Sequence, residues 1–235
     1  MHIKISATLA NIVYRAAPVL NGFEIKKFSD GNIQWLTAVR GRDLWITFAG
    51  TNEVADWIDN LDARKDHASY GTFHSGFKRA AISVEQHVVE EVSKQHWDNI
   101  TLCGHSLGGA VAAILATYLF YYGMNVGAKI HLTTFGQPRC GDDVWASNIK
   151  WLSRIPYIRV VNAGDPVPHL PSFLRFRHAG QILFFSEENV MVAPTMTQRL
   201  YAAFRAIITN RENMFAMLSA HSMDLYLANI LSMQE

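Results

Sequence analysis

Asn99-Ile100-Thr101-Leu102-Cys103-Gly104-His105-Ser106-Leu107-Gly108-Gly109-Ala110-Val111-Ala112 is the stretch that decides the fold. An apolar run fit for a buried strand leads into Gly104-His105-Ser106-Leu107-Gly108, and an apolar run of helical length leaves it. The pentapeptide has the form G-x-S-x-G, and strand–turn–helix is the context in which that pattern makes a nucleophile elbow. The turn strains the serine backbone, and a Cβ two residues to either side would collide with the neighbouring strand or helix. Ser106 would then project at a helix N-terminus, whose amides favour developing negative charge.

Working outward, the pattern on the C-terminal side alternates between strand and helix. Leu107 to Tyr122 reads as a helix, Lys129 to Phe135 as a strand, Asp142 to Leu152 as a helix and Tyr157 to Asn162 as a strand. Ile182 to Phe185 is a last short strand before a helix-rich tail. Such alternation predicts parallel βαβ units. On the N-terminal side, Phe23–Phe28, Asn32–Val39 and Leu44–Ala49 read as strands, the first two joined by an Asp30-Gly31 turn. Thr51 to Tyr70 is polar and irregular, and Ser75 to His96 carries helical spacing through Phe77, Ala81, Val84, Val88 and Val92. The expected architecture is a single α/β domain over 1–235, a mostly parallel central sheet with helices on both faces.

Composition narrows the function. In 235 residues, 49% are apolar and 17% charged, which is a chain with a full core and no need of disulfides or metals to fold. Lys plus Arg number 21 against 20 Asp plus Glu, so no strong field exists to gather nucleic acid. Two cysteines, Cys103 and Cys140, cannot build a disulfide framework or a Cys-rich zinc site and read as reduced thiols. From Asn99 to Ala128 no Asp, Glu, Lys or Arg occurs, a length that raises a membrane helix, but Gly104, Gly108 and Gly109 break it into strand, turn and helix. No transmembrane segment is expected. Met1 to Ile12 reads as an N-terminal helix, because Arg15 interrupts the apolar run and no small-residue cleavage site follows, so no signal peptide is recognised.

A serine nucleophile needs a base and an acid to orient it, in the chain order Ser, Asp or Glu, His. Asp165 follows the strand ending at Asn162, on the turn Ala163-Gly164-Asp165-Pro166; Asp142 and Asp143 are rivals that look like helix caps. Three of the ten histidines follow Asp165. His169 is too close in sequence to reach back, His178 enters the last strand, and His221 sits in a loop or at the start of the C-terminal helix. His221 is therefore the expected base. For the oxyanion hole, the residue after the nucleophile offers the Leu107 N–H, and the Gly50-Thr51 turn after an early strand offers Thr51. His74 and Gly76 read as loop-fixing residues and His105 as a packed, hydrogen-bonded group beneath the elbow. No His, Asp and Glu cluster has metal-ligand spacing, and no cofactor is expected.

Taken together, Phe48-Ala49-Gly50-Thr51 with Asp56-Trp57, His74-Ser75-Gly76-Phe77, Gly104 to Ala110, Phe135-Gly136-Gln137-Pro138-Arg139-Cys140-Gly141, Asn162 to Pro168 and His221 resemble the class 3 lipase family, the fungal-lipase-like branch of α/β-hydrolases. The resemblance implies an α/β-hydrolase fold, a triad at Ser106, Asp165 and His221, an oxyanion role for Thr51, and a lid helix over 52–61. It departs from the family at Ala49, where an Arg is usual. The expected activity is hydrolysis of esters of apolar acyl chains, triglyceride or a similar lipid, with phospholipase A1 or short- and aromatic-acyl esterase as alternatives. A silent lipid-binding module is the remote one.

Two segments are expected to meet substrate. In 52–61, Val54, Trp57, Ile58 and Leu61 fall on one helical face opposite Glu53, Asp56 and Asp59. In 189–219, an apolar stripe through Leu200, Phe204 and Ile208 with Arg199, Arg205 and Arg211 leads to Phe215 and Met217. Such a basic amphipathic cap suits acyl-chain contacts and transient contact with a lipid surface.

Overall fold

A computed structural model describes residues 2–51, 64–124, 127–151, 156–171, 175–186, 190–195, 197–198 and 219–233. Its frame is an eight-stranded sheet. In chain order the strands are β1 (Glu24–Asp30), β2 (Ile33–Arg40), β3 (Asp43–Phe48), β4 (Lys65–Ala68), β5 (Gly71–His74), β6 (Asn99–His105), β7 (Lys129–Phe135), β8 (Tyr157–Asn162), β9 (Gln181–Phe185) and β10 (Val190–Val192). The main sheet runs β1-β2-β3-β6-β7-β8-β9-β10, and β4 pairs only with β5. The five central strands from β3 to β9 are mutually parallel, while β1, β2 and β10 join antiparallel at the edges. This is an α/β-hydrolase fold with a mostly parallel central sheet.

Among the described residues the α-helices are α1 (His2–Ile12), α2 (Ser75–Ser93), α3 (Leu107–Tyr121), α4 (Asp143–Trp151) and α5 (Met223–Ser232). They cover both faces of the sheet. Strand β3 shows why its sequence is a continuous apolar run. Leu44, Ile46 and Phe48 enter the core that α2 and α3 close, whereas Trp45 enters the one closed by α1. With both faces dry, alternation disappears from the sequence although it persists in space. Each large side chain so buried is worth roughly 1.5–3 kcal/mol relative to exposure. The uncharged stretch after Asn99 resolves into β6, a one-residue turn and α3, and no described helix is long and apolar enough to cross a membrane.

Two expectations need correction or restriction. The stretch from Thr51 to Tyr70, read as irregular, contains β4, which forms a hairpin with β5; both strands are four residues long, and the first is too polar to show a pattern. The lid at 52–61, with Val54, Trp57, Ile58 and Leu61, lies outside the described residues. So does most of the cap at 189–219, with Phe215 and Met217; within it, Val190–Val192 is the edge strand β10.

Candidate active site

At the C-terminal end of β6 the chain turns into α3 across a single residue, Ser106. Ser106 has φ 56 and ψ −126, a left-handed conformation costly for any residue with a Cβ. Two glycines permit it: a Cβ on Gly104 would land on the Gly108 backbone, and one on Gly108 would land on the carbonyls of Phe48 and Ala49. The Ser106 N–H donates to the Phe135 carbonyl at 2.9 Å, pinning the elbow to β7. That bond consumes the serine's own amide. Leu107 opens α3, so its N–H is among those with no acceptor inside the helix, as an oxyanion donor must be.

The Gly50-Thr51 turn lies against this elbow. A Cβ on Gly50 would stand 2.8 Å from the Ser106 Cβ, so only glycine lets the turn approach so closely.

Asp165 follows β8 and is closed from solvent, at 1% exposed. Its Oδ1 accepts the Val167 N–H at 2.8 Å. Its Oδ2 accepts both the His221 Nδ1–H at 2.8 Å and the Tyr226 hydroxyl at 2.6 Å. Burial, and then the Asp165 charge beside it, push the Tyr226 phenol well above its usual value, so it stays a donor. With Nδ1 committed to Asp165, a neutral His221 carries its lone pair on Nε2. That Nε2 and the Ser106 Oγ are both buried and both lack a hydrogen-bond partner. Buried polar atoms seldom stand unpaired, and catalytic hydrogen bonds often form only when substrate is bound.

The loop carrying His221 is tied to β8. The Asn162 side chain donates to the Ala220 carbonyl at 3.0 Å and accepts from Asn229 at 3.0 Å, while its backbone N–H donates to the Tyr226 hydroxyl at 3.1 Å. Gly136, at φ +56, leaves room for the pair: a Cβ there would meet Asp165 Oδ2 at 2.7 Å and His221 Nδ1 at 2.9 Å.

The structure thus brings Ser106, Leu107, Thr51, Asp165 and His221 to one end of the sheet, and it sets the rivals elsewhere. Asp142 caps α4 by accepting the Trp145 N–H at 2.8 Å, and Asp143 pairs with Arg177 at 2.6 Å. His178 is bonded through Nε2 to the Pro168 carbonyl at 2.7 Å, and His169 is exposed on a short 3-10 turn. Cys103 and Cys140 are buried free thiols pushed up to about 12 by burial, which leaves them unreactive. Nothing in the sequence singles out Tyr226, and Asn162 stands there only as the start of the Asn162–Pro168 motif; the bonds that tie both to the site join distant parts of the chain. Among the described residues no cluster of three or more His, Cys, Asp and Glu could hold a metal.

Comparison with known proteins identifies the family. The sequence model of lipase (class 3) matches residues 45–175, more than half of the chain. The chain belongs to the class 3 lipase family. It is 30% identical over 168 residues to the lipase of Rhizomucor miehei, an alignment covering 68% of this chain and 46% of that protein. It is also 30% identical over 168 residues to phospholipase A1 EG1 of Oryza sativa subsp. indica, covering 59% and 38%. It thus spans less than half the length of these two relatives. Among solved structures, it superposes with a TM-score of 0.69, at 27% identity and over 80% of this chain and 81% of the other, on a triacylglycerol lipase with a serine protease triad at its catalytic centre.

Proposed function

We propose that this class 3 lipase hydrolyses carboxylic esters of apolar acyl chains through an acyl-enzyme. Ser106 Oγ attacks the ester carbonyl, and His221 Nε2 takes its proton and returns it to the leaving alcohol. Asp165 holds the imidazole in the Nε2 lone-pair tautomer and stabilises the imidazolium. The N–H groups of Thr51 and Leu107 receive the oxyanion. Water then attacks the acyl-enzyme, with His221 again as base, and releases the acid. The observation that carries the reading is the buried His221–Asp165 bond at 2.8 Å, its imidazole 4.5 Å from the ring of His105 that precedes a serine in left-handed conformation, with both reactive atoms unpaired.

The substrate class rests on relatives. Likeness to the triacylglyceride lipase of Rhizomucor miehei supports a neutral glyceride, and likeness to the rice phospholipase A1 supports a phospholipid as second reading. One panel of triglyceride emulsion, phosphatidylcholine vesicles and p-nitrophenyl esters separates them by relative kcat/KM. Ser106→Ala should lose activity on all by about 10⁴-fold or more. Substantial hydrolysis by the purified variant would refute the assignment.

A further inference from the structure

Behind the triad runs a second row of hydrogen bonds that the hydrolytic steps do not use. The Gly50 N–H donates to the Tyr14 hydroxyl at 2.8 Å, the Tyr14 hydroxyl meets His105 Nδ1 at 2.9 Å, and His105 Nε2 meets the His221 carbonyl at 2.6 Å. The chemistry of the end groups sets every direction. A peptide N–H only donates, so the Tyr14 oxygen accepts from Gly50. A carbonyl only accepts, so His105 must carry its proton on Nε2. In the neutral ring Nδ1 then holds the lone pair and accepts the hydrogen bond that the Tyr14 hydroxyl donates.

The row joins three parts of the site that come from distant stretches of chain. Gly50 precedes Thr51 on the oxyanion turn, His105 precedes Ser106 on the elbow, and His221 stands before α5. Asp165 orients the His221 ring, but the row holds its backbone. Tyr14 lies outside the residues matched by the family model, just beyond α1.

His105 must stay neutral for this to hold. A second proton, on Nδ1, would face the Tyr14 hydroxyl hydrogen and place a cation 4.5 Å, ring to ring, from the imidazole that becomes positive in acyl transfer. Burial, and then the nearby His221, hold His105 well below the ordinary imidazole value. Among the described residues the further rings packed on it are Tyr226 at 6.0 Å and Tyr14 at 6.3 Å, both neutral phenols. Burial pushes Tyr14 up to about 12, so its proton is retained as well.

We propose that Tyr14 and His105 are positioning residues of the acyl-transfer reaction, locking the oxyanion turn and the His221 backbone to the elbow in one geometry. The proposal rests on the triad reading given above. A tetrahedral intermediate needs the Thr51 and Leu107 amides and His221 Nε2 to converge on neighbouring atoms, and a displacement of about 1 Å can cost 10²-fold in rate.

The test uses the full chain. Tyr14→Phe keeps the ring and removes the hydroxyl. On p-nitrophenyl butyrate its kcat should fall about tenfold with KM within about twofold, and Ser106 labelling by a fluorophosphonate should slow by the same factor yet reach completion. Imidazole ¹⁵N NMR should show His105 as the single Nε2–H tautomer in the parent and as a tautomer mixture in Tyr14→Phe. His105→Gln, whose amide can still donate toward the His221 carbonyl, should recover part of the kcat that His105→Phe loses. The proposal is overturned by an unchanged kcat in Tyr14→Phe, by a change in KM alone, or by a loss matched by an equal loss of folded protein. It is overturned equally by a parent His105 that titrates near pH 6.5. A parent chain that neither hydrolyses esters nor labels at Ser106 would sink the triad reading first and the proposal with it, a result distinct from every other outcome because it appears without any substitution.

Discussion

Replacing Tyr226 with Phe removes one oxygen and two hydrogen bonds. The hydroxyl donates to Asp165 Oδ2 at 2.6 Å and accepts from the Asn162 backbone at 3.1 Å, both in buried surroundings. Losing a donor to a buried carboxylate costs about 1.5–3 kcal/mol, and leaving the Asn162 N–H unpaired costs roughly 1–3 kcal/mol. The losses overlap, because the same collapse or water entry can relieve both, so a total of about 2–4 kcal/mol is expected. Packing offsets none of it: the ring stays edge-on to Phe135 at 6.2 Å in either variant. In a chain of this size that destabilisation lowers the thermal midpoint by roughly 5–15 °C. Chemistry suffers too. Asp165 Oδ2 is shared between Tyr226 and His221, so removing one partner frees the carboxylate to turn away from the other. The kcat on p-nitrophenyl butyrate should fall about tenfold with KM unchanged, provided the assay runs well below the new midpoint. A midpoint and a kcat both equal to those of the parent would refute the reasoning, because the two bonds would then carry nothing.

Further outcomes follow from the same geometry. Gly136→Ala introduces a Cβ 2.7 Å from Asp165 Oδ2 at a left-handed backbone position, so it should cost kcat about 100-fold or more while far-ultraviolet circular dichroism stays unchanged; near-parent kcat would show that the pair has room to shift. For His105, whose folded-state pKa is depressed by burial and by His221, the unfolded chain binds the extra proton below pH about 6.5. Its contribution to stability is therefore complete above that pH and is lost as pH falls. Urea unfolding between pH 6 and 4.5 should show His105→Gln losing stability less steeply than the parent, by about 1.4 kcal/mol per pH unit. Equal slopes would mean that His105 is protonated in the folded protein.

Much of this was legible in the residues. Gly104 to Gly108 identifies the elbow because strain, glycine spacing and the flanking strand and helix are all local. β7 and β8 fall where the apolar runs place them, at Lys129–Phe135 and Tyr157–Asn162. Asp165 and His221 followed from chain order, since a parallel sheet sends each later strand end to the same edge of the molecule. The short hairpin of β4 and β5 escaped because Lys65–Ala68 is polar and only half-buried; pairing with β5, not amphipathicity, makes it a strand.

By itself, then, the sequence determined the order of the central strands and of the longer helices and the strained serine turn, and it named Asp165 and His221 as the acid and base to expect, because each depends on near neighbours or on connectivity. Tertiary structure alone decided which groups hold those residues in place. Tyr226 lies 61 residues from Asp165, and Tyr14 lies 91 residues from His105. A hydroxyl of either kind looks the same in the chain whether it faces water or a buried carboxylate. Only the packing of α1 and α5 on one face of the sheet excludes the water that would otherwise compete for it, and that exclusion turns an ordinary tyrosine into part of the site.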